Sequence, residues 1–155
     1  MGTRSTIALE YADGQVDQIY CHWDGYLDHN GQILLQHYMD PFKVRDLMDL
    51  GDMSSLRPTI GVQHKFSPFD QKELSSEDFE KQYGEMCTFY GRDRNESGCG
   101  AKRFKDFADY AENHQREEYE YILRTDGKWY VSYYRTGELY VSLETAAYVK
   151  EMVEA

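Results

Sequence analysis

The chain has 155 residues, 41% of them hydrophobic and 29% charged, which suits one folded domain and excludes wholesale disorder. Seventeen Lys and Arg against 28 Asp and Glu give a net charge of −11, which argues against non-specific binding to DNA, RNA or anionic lipid. No apolar run approaches the roughly 18 residues of a membrane span, and Met-Gly-Thr-Arg-Ser-Thr at the N-terminus lacks the apolar stretch of a signal peptide, so a cytoplasmic protein is expected.

Residues 6–11 alternate, with Ile7, Leu9 and Tyr11 on one side. Residues 16–23 alternate again, with Ile19, Cys21 and Trp23 on one side and Tyr20 and His22 on the other. Asp13-Gly14 between them is a hairpin signal, because Gly takes positive φ at little cost. Residues 24–31 read as a loop. Ile33, Leu34, His37 and Tyr38 have helical spacing. Asp40-Pro41 reads as the cap and first residue of a second helix, and Gly51 as its stop. Pro58 and Pro68 interrupt residues 52–82. There, 61–66 reads as a short edge strand, and Leu74, Phe79 and Tyr83 mark a polar helix begun at Ser75 or Ser76. Residues 86–90 read as a buried strand, 91–100 as a polar loop, and 101–114 as an amphipathic helix built on Phe104, Phe107, Ala108 and Ala111.

The last third predicts strands over 119–123, 129–134 and 139–143, turned at Asp126-Gly127 and Thr136-Gly137. A closing helix over 144–153 follows, with Ala147, Tyr148 and Met152 toward the core. The order predicts a single α+β domain over 1–155. Its antiparallel sheet combines an N-terminal hairpin with a C-terminal three-stranded meander, and helices cover it.

Three cysteines, Cys21, Cys87 and Cys99, make a poor disulfide framework, and no C-x-x-C occurs. Cys21 and Cys87 read as small core residues. Cys99 reads as exposed, with a nucleophilic role as its minor reading. The acidic excess is spread along the chain, at −5, −3 and −3 over residues 1–50, 51–100 and 101–155.

Several stretches share a pattern: Met1 to Ile7, Tyr20-Cys21-His22-Trp23-Asp24-Gly25-Tyr26, Asn30 to Tyr38, Leu47 to Leu56, Tyr90-Gly91-Arg92-Asp93-Arg94 and Asp126 to Val131. With them the chain resembles a group of small proteins encoded by bacteriophages and prophages. The likeness spans most of the sequence except residues 59–85, and Leu27 stands where many of the group carry Pro. It implies an accessory protein in the cytoplasm of an infected bacterial host and brings no catalytic mechanism.

Four constellations can carry chemistry. His22, Asp24, His29 and His37 hold imidazoles and a carboxylate suited to a divalent metal or an oriented general base. Their spacing fits no metal motif, and turn-capping with packed histidines is the simpler account. Arg92-Asp93-Arg94, flanked by Gly91, can grip phosphate or bridge to local carboxylates. Among the aromatics, Tyr119, Tyr121, Trp129 and Tyr133 are assigned to one sheet face and Tyr130, Tyr134 and Tyr140 to the other. The second face is then either an interface or the underside of a helix. Asp106, Asp109 and Glu112 line one helical face, followed by Glu117, Glu118 and Glu120, as a solvated surface or a phosphate mimic.

No G-x-S-x-G, H-E-x-x-H, Walker A or G-x-G-x-x-G motif is present. The leading expectation is a stoichiometric inhibitor of a host defence or nucleic-acid-handling protein. Its acidic, tyrosine-rich interface of Asp106, Asp109, Glu112, Glu117, Glu118, Tyr130, Tyr134 and Tyr140 would dock on a basic partner without direct contact to nucleic acid or membrane. The alternative is a site that sequesters or cleaves a nucleotide-type signal with Tyr20, His22, Asp24 and Arg92, flanked by His29 and Arg94. Neither reading calls for a cofactor or a metal.

Overall fold

The computed structural model describes residues 3–133 and 138–146. Strands Ser5–Glu10 (β1) and Val16–Cys21 (β2) form the expected hairpin, from Ser5 opposite Cys21 to Glu10 opposite Val16. Gly14, at φ 94°, closes its turn by donating to Tyr11 O. Residues 27–31, expected as loop, instead make one π-helical turn, Leu27–Gly31. Leu27 and Asn30 are buried there, and Asn30 Nδ2 donates to Ser5 Oγ and Trp23 O, which draws the segment into a coil.

Helices Gln32–His37 (α1) and Pro41–Leu50 (α2) follow. Asp40 Oδ1 caps α2 by accepting from Phe42 N–H at 2.9 Å, and Gly51, at φ 86°, ends it. Strand Met53–Ser55 (β3), a single 3-10 turn at Pro68–Asp70 and helix Ser76–Tyr83 (α3) come next; Ser75 Oγ caps α3 through Asp78 N–H.

Several expectations are corrected in the middle of the chain. Residues 61–66 form no strand, because the Ile60 and Gly61 carbonyls accept from the Arg92 guanidinium instead of a sheet neighbour. The 86–90 strand shortens to Thr88–Phe89 (β4), and the predicted loop opens with helix Tyr90–Arg94 (α4). Asp93 Oδ2 accepts from Phe89 N–H at the start of this turn, and Asn95, in the left-handed region at φ 57°, closes it. Within 101–114, Lys102–Phe104 is a strand (β5), and the helix covers only Phe107–Asn113 (α5), begun by the Asp106 cap.

The chain ends in strands Tyr119–Leu123 (β6), Trp129–Tyr133 (β7) and Glu138–Ser142 (β8), with residues 143–146 helical. Tyr134, the Thr136-Gly137 turn, and Ala147, Tyr148 and Met152 of the predicted closing helix lie outside the described residues.

The described strands make one mixed sheet in the order β4-β3-β2-β1-β6-β7-β8, with β5 beside β3 along β2. The expected hairpin and meander are both present, but the sheet is not purely antiparallel. β1 pairs β6 in parallel, from Ser5 opposite Tyr119 to Leu9 opposite Leu123, and β2 meets β3 in parallel at Cys21 and Met53. The hairpin and the meander meet through their first strands. The long helical crossover between them returns the chain to the same end of the sheet, which makes those strands parallel.

One face carries the main core. Ile7, Leu9, Ile19, Cys21, Tyr121, Leu123, Trp129 and Val131 pack under Leu34 and Tyr38 of α1 and its end, and under Val44, Leu47 and Met48 of α2. Fully burying such a side chain contributes about 1.5–3 kcal/mol. Polar tips are satisfied inside: Trp129 Nε1 donates to Tyr38 O at 3.0 Å, and Tyr121 OH to Gly25 O at 2.6 Å. The opposite face holds a smaller cluster of Ala8, Val16, Phe104, Tyr110 and Ile122 beneath α5 and β5.

Candidate functional site

The structure disperses the His22 constellation. Tyr20 OH lies 2.8 Å from His22 Nδ1, and His22 packs edge-on against Trp23, which is 43% exposed. Burial pushes the Tyr20 phenol up to about 12, and its backbone N–H donates to Asp52 Oδ1. His29 faces elsewhere. Its Nε2 lies 3.2 Å from Arg57 Nη1, and since guanidinium only donates, Nε2 accepts and Nδ1–H donates to Asn30 Oδ1. Asp24, at φ 56°, is 4.0 Å from that imidazole. Gly25 follows because a Cβ there would sit 2.7 Å from Ser5 Cβ and 2.9 Å from Thr3 O. His37 ends α1, exposed. Among the described residues, no three His, Cys, Asp or Glu side chains gather as metal ligands would.

Arg92 is a tie and not an open anion contact. Nη1 donates to Ile60 O and Gly61 O, Nη2 to Cys87 O at 2.8 Å, and Nε to Asp93 Oδ1, while the guanidinium covers the Phe89 ring. The Asp93 carboxylate, fully buried, also accepts from His64 N–H and Phe89 N–H. The 60s segment, β4 and α4 are thereby locked together.

Arg94 points differently. It is 58% exposed, lies over the Phe66 ring at 4.9 Å, and lines a cleft of about 650 Å³ between the 63–70 segment, α3 and α4. A second hollow, about 320 Å³, lies where Phe42 and Arg45 of α2 approach Arg124 and Thr125. Neither cavity is lined by Tyr20, His22, Asp24 or Arg92. Cys99 is only partly exposed, and burial together with the Glu96 and Asp52 charges pushes its thiol up, away from the thiolate a nucleophile needs.

The expected interface is partly occupied by the fold itself. Asp106 Oδ1 caps α5 through Asp109 N–H, while Asp109 accepts from Lys105 N–H and Asn113 Nδ2. Glu112 is exposed, Glu117 accepts from Gln115 Nε2, Glu118 is half-buried, and Glu120 is buried. Tyr140 packs against Phe107 of α5 at 5.1 Å, and Tyr130 lies at the margin of the same cluster with its OH on Asp126. The second sheet face is therefore the underside of a helix. A denser acidic surface lies on α3 and its flanks. Asp70, Glu73, Glu77, Asp78, Glu80 and Glu85 are all exposed, against Lys72 and Lys81, and Phe79 is the buried residue of α3.

A buried polar group lies on the second face, where Glu120 is enclosed and not part of a solvated surface. His114 Nε2 abuts Glu120 Oε2, with both side chains almost fully enclosed. His114 Nδ1 donates to Tyr110 O at 2.6 Å, and its ring stacks on Tyr110. Thr6, opposite Glu120 across the β1–β6 pairing, and the Tyr110 hydroxyl complete the cluster. The signal was available: Glu120 shares its strand face with Ile122, so a buried partner was required.

No helix among the described residues is long and apolar enough to cross a membrane. Comparison with protein-family models, curated proteins and solved structures finds no match for this chain.

Proposed function

We propose that this protein acts by stoichiometric binding, docking an acidic surface onto a basic partner. In an infected bacterial host that partner would be a defence or nucleic-acid-handling protein, which the docked chain inhibits. The observation that carries the reading is the run from Asp70 to Glu85, where six exposed carboxylates on α3 and its flanks outnumber two ammonium groups, and α3 itself buries one residue. Carboxylates presented this way meet Lys and Arg clusters and release the counterions that a phosphate backbone would release. The exposed side of α5, with Asp106 and Glu112, extends the negative field.

The test is affinity capture from host lysate with the intact chain as bait. Captured protein should be lost between about 50 and about 200 mM salt, and duplex DNA should displace it. Reversing Glu73, Glu77, Asp78 and Glu80 to Lys should abolish capture while leaving the melting temperature within a few degrees. A captured partner that ignores salt, DNA and charge reversal alike overturns the reading.

A further inference from the structure

We propose that the cleft beside Arg94 binds a small planar anion, a mononucleotide-sized molecule with a flat ring and one oxyanion group. This goes beyond docking on a basic partner and stands independently of it. At about 650 Å³ the cleft falls within the roughly 300–1,000 Å³ typical of small-molecule sites. Its lining is less acidic than the chain as a whole, with two cations against two carboxylates, Asp70 and Asp93. In a molecule of net charge −11, it brings together the cations of Lys65 and Arg94 with the amides of Gln63 and Asn95.

Of the negative groups nearby, Asp93 is tied up within the fold by Arg92, Glu96 pairs with Arg94 at 3.5 Å from Nε, and exposed Asp70, which accepts from Ser67 Oγ, keeps its charge at the cleft wall. Lys65 is exposed and, among the described residues, makes no hydrogen bond or ion pair. An oxyanion between Lys65 and Arg94 would gain charge-assisted hydrogen bonds, the stronger kind, with Glu96 as its competitor for Arg94.

The walls suit a flat ring. Phe66 and Tyr83 line the cleft, and Tyr83 is fixed by stacking on His64 at 5.0 Å and 9°. His64 is itself pinned by Val62 O on Nδ1, Thr88 Oγ1 on Nε2, and Asp93 Oδ1 on its backbone N–H. The back of the cleft is thus formed before any ligand arrives, which limits the ordering cost of binding. The ligand must also be short. Tyr83 belongs to α3, whose exposed Glu77, Asp78 and Glu80 would repel a continuing phosphate chain.

The test is a thermal-shift and calorimetry series with AMP, GMP, CMP and UMP, alongside adenosine, inorganic phosphate and a short single-stranded oligonucleotide. At least one mononucleotide should raise the melting temperature and bind more tightly than adenosine or phosphate alone. Arg94→Ala and Lys65→Ala should each weaken it roughly tenfold to a hundredfold. Both side chains are exposed, so the ligand-free melting temperature should be unchanged. Absence of a shift with every mononucleotide, binding that survives both substitutions, or tighter binding of the oligonucleotide overturns the proposal.

Discussion

Arg92 joins three stretches of chain through four hydrogen bonds, and its guanidinium is mostly enclosed. Arg92→Ala would leave three carbonyls and the Asp93 carboxylate short of a donor, so a loss of about 3 kcal/mol or more is expected by urea unfolding. Arg92→Lys should rescue little, since an ammonium cannot reach the same fan of acceptors. The His114–Glu120 pair makes a sharper case. His114→Ala strands a buried carboxyl and should cost about 3–5 kcal/mol, whereas His114→Leu with Glu120→Met should recover most of that. A double variant as unstable as the single would show that the pair is not the source of the cost. Asp52 behaves in the opposite sense. Burial raises its carboxyl, so keeping it ionised at neutral pH opposes folding, and Asp52→Asn preserves an acceptor for Tyr20 N–H. The substitution should raise the melting temperature at pH 7, with the gain shrinking as acid protonates the wild-type carboxyl.

Between residues and elements, backbone geometry decides. At Gly51, φ is 86°, and a Cβ would fall 2.2 Å from Cys99 O, a severe steric overlap with backbone. Gly98, at φ 74°, has open space around the same position. Gly51→Ala should therefore destabilise far more than Gly98→Ala in parallel melts, because only the first adds a collision to the strain of a left-handed residue. The same scale explains what could be read in advance. The hairpin turns at Gly14 and Gly127 and the α2 caps are legible, because each depends on side chains within a few residues. Lys102, Arg103 and Phe104 fitted a helical period, yet the open edge of β2 claimed them, helped by Arg103 binding Asp17 at 2.8 Å. Gly91-Arg92-Asp93-Arg94 has a loop's composition, yet it continues a helical turn from Tyr90, where Asp93 accepts from Phe89 N–H and from the distant His64 N–H. Of the candidate site, Arg94 and the carboxylates of α5 were visible as residue types. The cleft needed Lys65, Phe66 and Tyr83 to converge from separate segments, and no local periodicity records such convergence.

At the scale of the molecule, two ion pairs act as acid-sensitive ties. Burial pushes the Glu10 and Asp17 carboxyls up, but hydrogen bonds and charge from Arg124 and Arg103, with Thr125 and Tyr11 assisting, leave both below their ordinary values. The unfolded chain then takes up protons more readily than the folded one. The stability they supply is complete above about pH 5 and drains as the pH falls toward their folded values. Relief of the −11 self-repulsion works the other way over the first part of that descent. Urea midpoints should thus be level or slightly rising from pH 7 to about 5 and drop steeply below about 4, and Arg103→Ala should flatten the drop.

The parallel seam between β1 and β6 has a consequence for biogenesis. Its partners, Ser5 and Tyr119, are far apart along the polypeptide, so during synthesis the first hairpin must wait with one flank bare while nearly all of the intervening chain emerges. Closure is a late, long-range event, of the kind that slows folding and exposes a strand edge to wrong neighbours. A nascent chain halted before Tyr119 should be easily degraded by protease, and full protection should arrive only when the seam has zipped.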